Sequence, residues 1–278
     1  MKKNRKHALP PARLAFIDSG LGGLSVWRAW VKRAPAHATL YLADQAHVPY
    51  GPRPLDEVRG FAMAMVQALV DSGIELVVLA SNTTSAAALY PLRERFSGLP
   101  IVGMEPAIKP AIAKTHSGVV GVLATPGTFN GQPFARLMER FSQGARVLTQ
   151  PCPGWVEAVE AGVIDGAHTR QLVADRVLPL LEAGADQLVL GCTHYPFLRP
   201  VIESVVQGRA EIIDPAMAVA EQALRVFHGG DSLSSTATHE FISTVSLAGL
   251  SEKLCNLKLH GQFDRLVQAR WERGRLLF

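Results

Sequence analysis

Leu188-Val189-Leu190-Gly191-Cys192-Thr193-His194-Tyr195-Pro196 joins a short apolar run to a thiol, polar side chains and a proline. An unbroken apolar run of this length fits a strand buried on both faces of a parallel sheet. Polar residues directly after such a strand fall at the carboxyl edge, where open α/β sheets carry their ligand sites. Leu76-Val77-Val78-Leu79-Ala80-Ser81-Asn82-Thr83-Thr84-Ser85 repeats the design. It lies about 110 residues earlier, a spacing that indicates a duplicated half rather than a short repeat. Strand to strand, Ser81 falls opposite Cys192.

The repeat extends outward from these two points. Leu14-Ala15-Phe16-Ile17 runs into Asp18-Ser19-Gly20, and Val119-Val120-Gly121-Val122-Leu123 runs into Ala124-Thr125-Pro126-Gly127-Thr128. Each of these opening strands precedes its Ser81 or Cys192 partner by about 65 residues, as two similar halves would require. Strands are expected over 14–17, 39–42, 76–79, 101–102, 119–123, 188–190 and 211–213. Helical spacing marks 24–30, 55–72, 170–183 and 216–227. Such alternation implies an α/β fold of two similar doubly wound parallel-sheet halves, with the active site in the cleft between them. The expected division is 1–99 plus 210–278 for the first half and 100–209 for the second. Phe241-Ile242-Ser243-Thr244-Val245 reads as a late edge strand, and Gly229-Gly230-Asp231-Ser232 with Ser234-Ser235-Thr236 as a polar surface loop.

Composition narrows the function classes. The chain has 278 residues and a net charge of +4. The charge gathers at the ends, in Lys2, Lys3, Arg5 and Lys6 and in Arg265, Arg270, Arg273 and Arg275, which read as solvated termini rather than a nucleic-acid patch. Aromatic residues are too sparse, at 7%, for a base-stacking surface. No apolar run reaches the roughly 18 residues of a membrane span, and no signal-peptide core follows the basic start. The three cysteines, Cys152, Cys192 and Cys255, are widely spaced and fit neither a disulfide framework nor a zinc pattern. A reduced, cytoplasmic setting follows as the expectation, with Cys152 and Cys255 as packing residues.

Chemistry concentrates in the strand-end segments. Asp18-Ser19-Gly20-Leu21-Gly22-Gly23 opens a helix, but its spacing is not the dinucleotide fingerprint and it has no P-loop lysine. Its glycines suit a tight turn. Its carboxylate could orient an ammonium group or tune a nearby base. Asp44-Gln45-Ala46-His47-Val48-Pro49-Tyr50-Gly51 is a rigid loop on the same edge. Ser81-Asn82-Thr83 can cap its own helix or hold a substrate carboxylate, and both readings stay open. Cys192 at a helix start beside His194 has reasons for thiolate character. Glu105 and Glu160 are candidate carboxylates to orient that imidazole.

Together these segments resemble the glutamate racemases of the aspartate/glutamate racemase family, which work without a cofactor. The resemblance runs from about Leu14 to Ala220, with the motifs in the family's order. It rests on Phe16-Ile17-Asp18-Ser19-Gly20, Asp44 with Pro49-Tyr50-Gly51, Ser81-Asn82-Thr83, Glu105-Pro106, and Gly191-Cys192-Thr193-His194-Tyr195-Pro196. It implies that Asp18, Ser19, Tyr50, Gly51, Asn82, Thr83, Thr193 and His194 bind glutamate. It further implies that Asp18 and His194 assist proton transfer, that Glu160 is the carboxylate near that histidine, and that the second-half thiol serves the face of L-glutamate. Neither metal nor pyridoxal phosphate is expected, because no lysine lies in the strand-end motifs. The product would be D-glutamate for peptidoglycan, and the resemblance suggests a homodimer.

One position departs from that pattern. The family carries cysteine at both strand ends, whereas this chain has Ser81 at the first; Pro215 after Asp214 is a lesser departure. Racemisation needs a base on each face of the α-carbon, and a serine hydroxyl without a dedicated base is a poor one. Impaired turnover is therefore the sequence expectation. Two other readings accommodate Ser81. One is a single-thiol decarboxylase, although such relatives lack the Cys-Thr-His-Tyr-Pro signature. The other is a non-catalytic glutamate-binding protein.

Overall fold

No residue of Leu14–Asp18, Leu76–Leu79 or Gln187–Gly191 reaches water appreciably, the condition of a central strand covered on both faces. The computed structural model describes residues 14–141, 144–227 and 237–278. The loop at 229–236 and the basic residues of the first six positions lie outside them.

The first run of elements is β1 (Leu14–Asp18), α1 (Leu24–Arg33), β2 (Thr39–Ala43), α2 (Leu55–Asp71), β3 (Leu76–Leu79), α3 (Asn82–Arg95) and β4 (Ile101–Val102). The second is α4 (Ile108–Lys114), β5 (Val119–Ala124), α5 (Pro126–Phe129), α6 (Gln132–Phe141), β6 (Arg146–Pro151), α7 (Trp155–Glu160), α8 (Ala167–Glu182), β7 (Gln187–Gly191), α9 (Arg199–Val206) and β8 (Glu211–Ile213). The chain ends with α10 (Ala216–Val226), β9 (His239–Ser243), α11 (Leu250–Asn256), β10 (Arg265–Gln268), β11 (Arg270–Glu272) and β12 (Arg275–Leu277).

Two parallel sheets result. One has the order β10-β9-β2-β1-β3-β4 and the other β6-β5-β7-β8. The quartets β2-β1-β3-β4 and β6-β5-β7-β8 share one winding, so the internal repeat is a repeat of topology. The chain leaves the first sheet after β4 and the second after β8. Each changeover therefore falls one strand later than the expected breaks at 99/100 and 209/210, because both short strands complete the sheet they follow.

Side-chain alternation divides the core. Leu14 and Phe16 pack with Trp27 and Trp30 of α1 on one face, and Ala15 and Ile17 with Met65 and Leu69 of α2 on the other. In the second sheet Val120 and Val122 face Ile108 and Phe134, whereas Leu188 and Leu190 face Val173 and Val177 of α8. Helices thus cover both faces of each sheet.

Two expectations change. β9 is an interior strand between β2 and β10, not an edge. The basic tail keeps its solvated arginines, Arg270, Arg273 and Arg275 being exposed, while Arg265–Gln268 joins the sheet and Arg270–Glu272 pairs with Arg275–Leu277 as a hairpin. Cys255 is exposed rather than packed, while Cys152 is buried.

Candidate active site

Parallel register brings the chemical segments to one edge. Ile17 pairs with Leu79, so Asp18 and Ser19 leave the first sheet beside Ser81. Ala124 pairs with Gly191, so Thr125 leaves the second beside Cys192. The two edges enclose a narrow cleft. Asp18, Ser19, Tyr50, Gly51, Ser81, Asn82 and Thr83 line it from the first half, and Cys192, Thr193 and His194 from the second. Thr125 and Val156 complete the wall.

His194 is the centre of a buried chain of contacts. Its Nε2 lies 2.7 Å from Oε1 of Glu160 and its Nδ1 3.7 Å from the sulfur of Cys192. Burial alone would lower the imidazole's proton affinity. The contacts with Cys192 and Glu160 outweigh it and hold His194 well above its ordinary value. Burial alone would raise Glu160, but the hydrogen bond and charge of His194 keep its carboxyl below the usual range. Glu160 lies behind the histidine and ties the halves together, accepting the N–H of Leu21 at 2.6 Å and the amide of Gln45 at 3.3 Å.

This approach explains two glycines that sequence alone reads as a tight turn. A Cβ at Gly20 would stand 2.0 Å from Oε1 of Glu160, and one at Gly22 would stand 2.2 Å from Nδ1 of His194. Both positions need absence of bulk so that the second half can close on the loop after β1.

Several polar atoms on the cleft wall have no protein partner. Both side-chain polar atoms of Asn82 are buried and unpaired, as is Oδ1 of Asp18. Buried polar groups are rarely left so unless a ligand or water completes them. Oδ2 of Asp18 accepts the N–H of Gly23 at 2.8 Å. Burial raises the Asp18 carboxyl above the ordinary carboxylate range against the lowering pull of His194. Ser81 caps α3, its Oγ accepting the N–H of Thr84 at 3.2 Å. Thr83 bonds across the cleft to Thr125, oxygen to oxygen at 2.9 Å.

Asp44 organises the loop that supplies Tyr50 and Gly51. Its carboxylate is fully buried. Oδ2 accepts the hydroxyl of Tyr50 at 2.6 Å and faces Nδ1 of His47 at 2.9 Å, while Oδ1 accepts from Trp271 at 2.7 Å and Thr244 at 3.0 Å.

Glu105 is exposed and does not line the cleft, leaving Glu160 as the carboxylate that meets His194. The segment after Cys192 is a 3₁₀ turn over Tyr195–Leu198, so the thiol does not open an α-helix. Sequence reasoning missed Thr125 and Gln45 as site residues. Thr125 was within reach, since the repeat sets Ala124-Thr125 against Asp18-Ser19. Gln45 carries no local signal. Among the described residues no lysine lines the cleft, and no group of three or more His, Cys, Asp or Glu could hold a metal ion. Nor is any described helix long and apolar enough to cross a membrane.

A thiol beside an imidazole on one wall, a carboxylate on the other and unpaired polar atoms between them make an arrangement suited to proton transfer on a small polar substrate. The chain belongs to the Asp/Glu/Hydantoin racemase family, which it matches over residues 22–223. It is 50% identical to the glutamate racemase of Ectopseudomonas mendocina over 215 residues, 77% of this chain and 82% of that one. Its fold matches a glutamate racemase isoform from Bacillus anthracis with a TM-score of 0.82 at 28% identity, covering 97% and 99% of the two chains. It also matches Escherichia coli glutamate racemase, solved with L-glutamate and the activator UDP-MurNAc-Ala. That TM-score is 0.81 at 30% identity over 93% and 98% of the chains.

Proposed function

We propose that this family member interconverts L- and D-glutamate by removing the α-proton on one face and returning a proton on the other. The observation that carries the reading is the closed cleft itself, where Cys192, backed by His194 and Glu160, faces the unpaired atoms of Asn82 and Asp18. In this reading Ser19, Asn82, Thr83, Thr193 and the Tyr50–Gly51 segment hold the substrate's carboxylates and ammonium. Cys192 takes the α-proton of L-glutamate, with Nδ1 of His194 lying 3.7 Å from its sulfur. Glu160 fixes the imidazole so that Nδ1 points at sulfur. The substrate's own α-carboxylate receives the electron pair, and the reading calls for no cofactor or metal.

The reaction would supply D-glutamate for peptidoglycan in the cytoplasm, with the chain working as a homodimer. Calorimetry with each glutamate enantiomer, followed by polarimetry, tests the reading. Binding of both with optical change supports it. Binding with no optical change and no α-hydrogen exchange would replace it with a binding protein, and decarboxylation of an aryl malonate with a single-thiol decarboxylase. Sedimentation gives the assembly state.

A further inference from the structure

The two walls of the cleft carry different acid–base groups. On the second wall Cys192 is followed by His194; on the first, Ser81 is followed two residues on by Thr83. The asymmetry reverses at the neighbouring strand, for β1 ends in Asp18 and its counterpart β5 in Ala124. The titratable groups lining the cleft are Asp18 and Tyr50 from the first half and Cys192 and His194 from the second. The Tyr50 hydroxyl donates a hydrogen bond to Asp44 at 2.6 Å, and burial with that carboxylate holds its proton affinity well above the ordinary value of 10.0. The hydroxyl of Ser81 serves as a helix cap. Asp18 alone offers the first wall a buried carboxylate with one oxygen tied down and the other unpaired.

We propose that Asp18 is the catalytic base on the face opposite Cys192, taking in this chain the part that a thiol at position 81 would otherwise play. The assignment rests on the glutamate reading above. Oδ1 of Asp18 forms the O–H bond as the α-C–H bond of D-glutamate breaks, and the electron pair passes into the substrate's α-carboxylate. The Cys192 thiol then protonates the other face, leaving Asp18 as the acid and Cys192 as the thiolate. L-Glutamate runs the same steps in reverse, and proton exchange with solvent resets the pair between turnovers. Burial of Asp18 favours this, since a carboxyl raised above its ordinary range is a stronger proton acceptor than an exposed one.

Proton NMR in heavy water, with each glutamate enantiomer and the full chain, tests the assignment. The unaltered protein is expected to exchange the α-hydrogen of both. Asp18→Asn is expected to lose exchange of D-glutamate by at least about 10²-fold, the lower end of general base catalysis, while still exchanging L-glutamate through Cys192. That retained exchange shows that the variant is folded. Ser81→Ala is expected to cost less than a tenth of the Asp18→Asn loss. Adding Ser81→Cys to Asp18→Asn should restore D-glutamate exchange by placing a thiol on that wall. Equal losses in Asp18→Asn and Ser81→Ala would overturn direct transfer, because the hydroxyl would then be the proton carrier. Exchange of L- but not D-glutamate by the unaltered protein would overturn the assignment and leave single-thiol chemistry in place. Exchange of neither would overturn the glutamate reading and the assignment with it.

Discussion

Nε2 of His194 and Oε1 of Glu160 lie 2.7 Å apart in a buried pair, and each holds the other in its charged form. Glu160, lowered from its ordinary 4.5, contributes stability above that value that is lost as pH falls through its folded pKa. His194, raised from 6.5, contributes stability below that value that is lost as pH rises through its folded pKa. The two contributions coincide between the ordinary values and extend on either side. Glu160→Gln should therefore destabilise the protein most between pH 4.5 and 6.5, by about 3–5 kcal/mol for a buried pair that loses one partner. Urea unfolding across the pH range checks this. A pH-independent difference between the two proteins would show that the pair is not ionised.

The glycine contacts give a sharper steric test. Gly20→Ala and Gly22→Ala should each destabilise by about 1–3 kcal/mol, the range for overpacking, and lower turnover by displacing Glu160 or His194. Gly60→Ala is the control, because its Cβ meets nothing within 4 Å inside α2. That change should stabilise by about 0.5–1 kcal/mol through helix propensity. Thermal melts of the three variants decide it, and a Gly22→Ala protein as stable and active as the parent would mean that the loop yields freely.

The cysteines should separate by place in the fold. Cys192 lines the cleft, Cys152 is buried with its thiol pushed up by desolvation, and Cys255 is exposed. Iodoacetamide near neutral pH should label Cys192 and Cys255, with glutamate protecting only Cys192, and leave Cys152 unmodified. Peptide mapping that finds Cys152 labelled first, or Cys192 labelled equally with and without glutamate, would contradict the site.

What the sequence revealed follows from what is local. β3, β4 and β8 match their expected bounds because short apolar runs between turn residues admit few alternatives. The strand-end residues were legible because parallel topology delivers such positions to one edge whatever the details. By contrast, α3 was visible only as a helix start. Its first turns are buried all round and Pro91 interrupts it, so no apolar stripe announces it. β6 has exposed and half-buried residues throughout and lacks the apolar run of its neighbours. Gly20 and Gly22 needed the structure, since their reason lies in Glu160 and His194 far along the chain. So did the link between Asp44 and Trp271, which spans 227 positions.

That link makes the C-terminal hairpin part of the site's support. Trp271 donates to Asp44 at 2.7 Å, Asp44 accepts from Tyr50 at 2.6 Å, and Tyr50 lines the cleft. The indole also packs with His47 and Phe61, whose ring centroids lie 5.2 and 5.7 Å away. Trp271→Phe keeps an aromatic ring beside them and removes only the N–H donor. Asp44 retains Thr244, His47 and Tyr50, so the loop should loosen rather than detach. The expected loss of stability is about 1.5–3 kcal/mol, the range for a hydrogen bond to a charged group. Because the change acts on the wall proposed above to hold substrate, KM for glutamate should rise severalfold while kcat changes less. Urea unfolding and steady-state polarimetry on the same preparation test both parts. A variant with unaltered KM and stability would show that the remaining donors fix Asp44 without the hairpin, and a fall in kcat at constant KM would place the hairpin's influence on the chemical step.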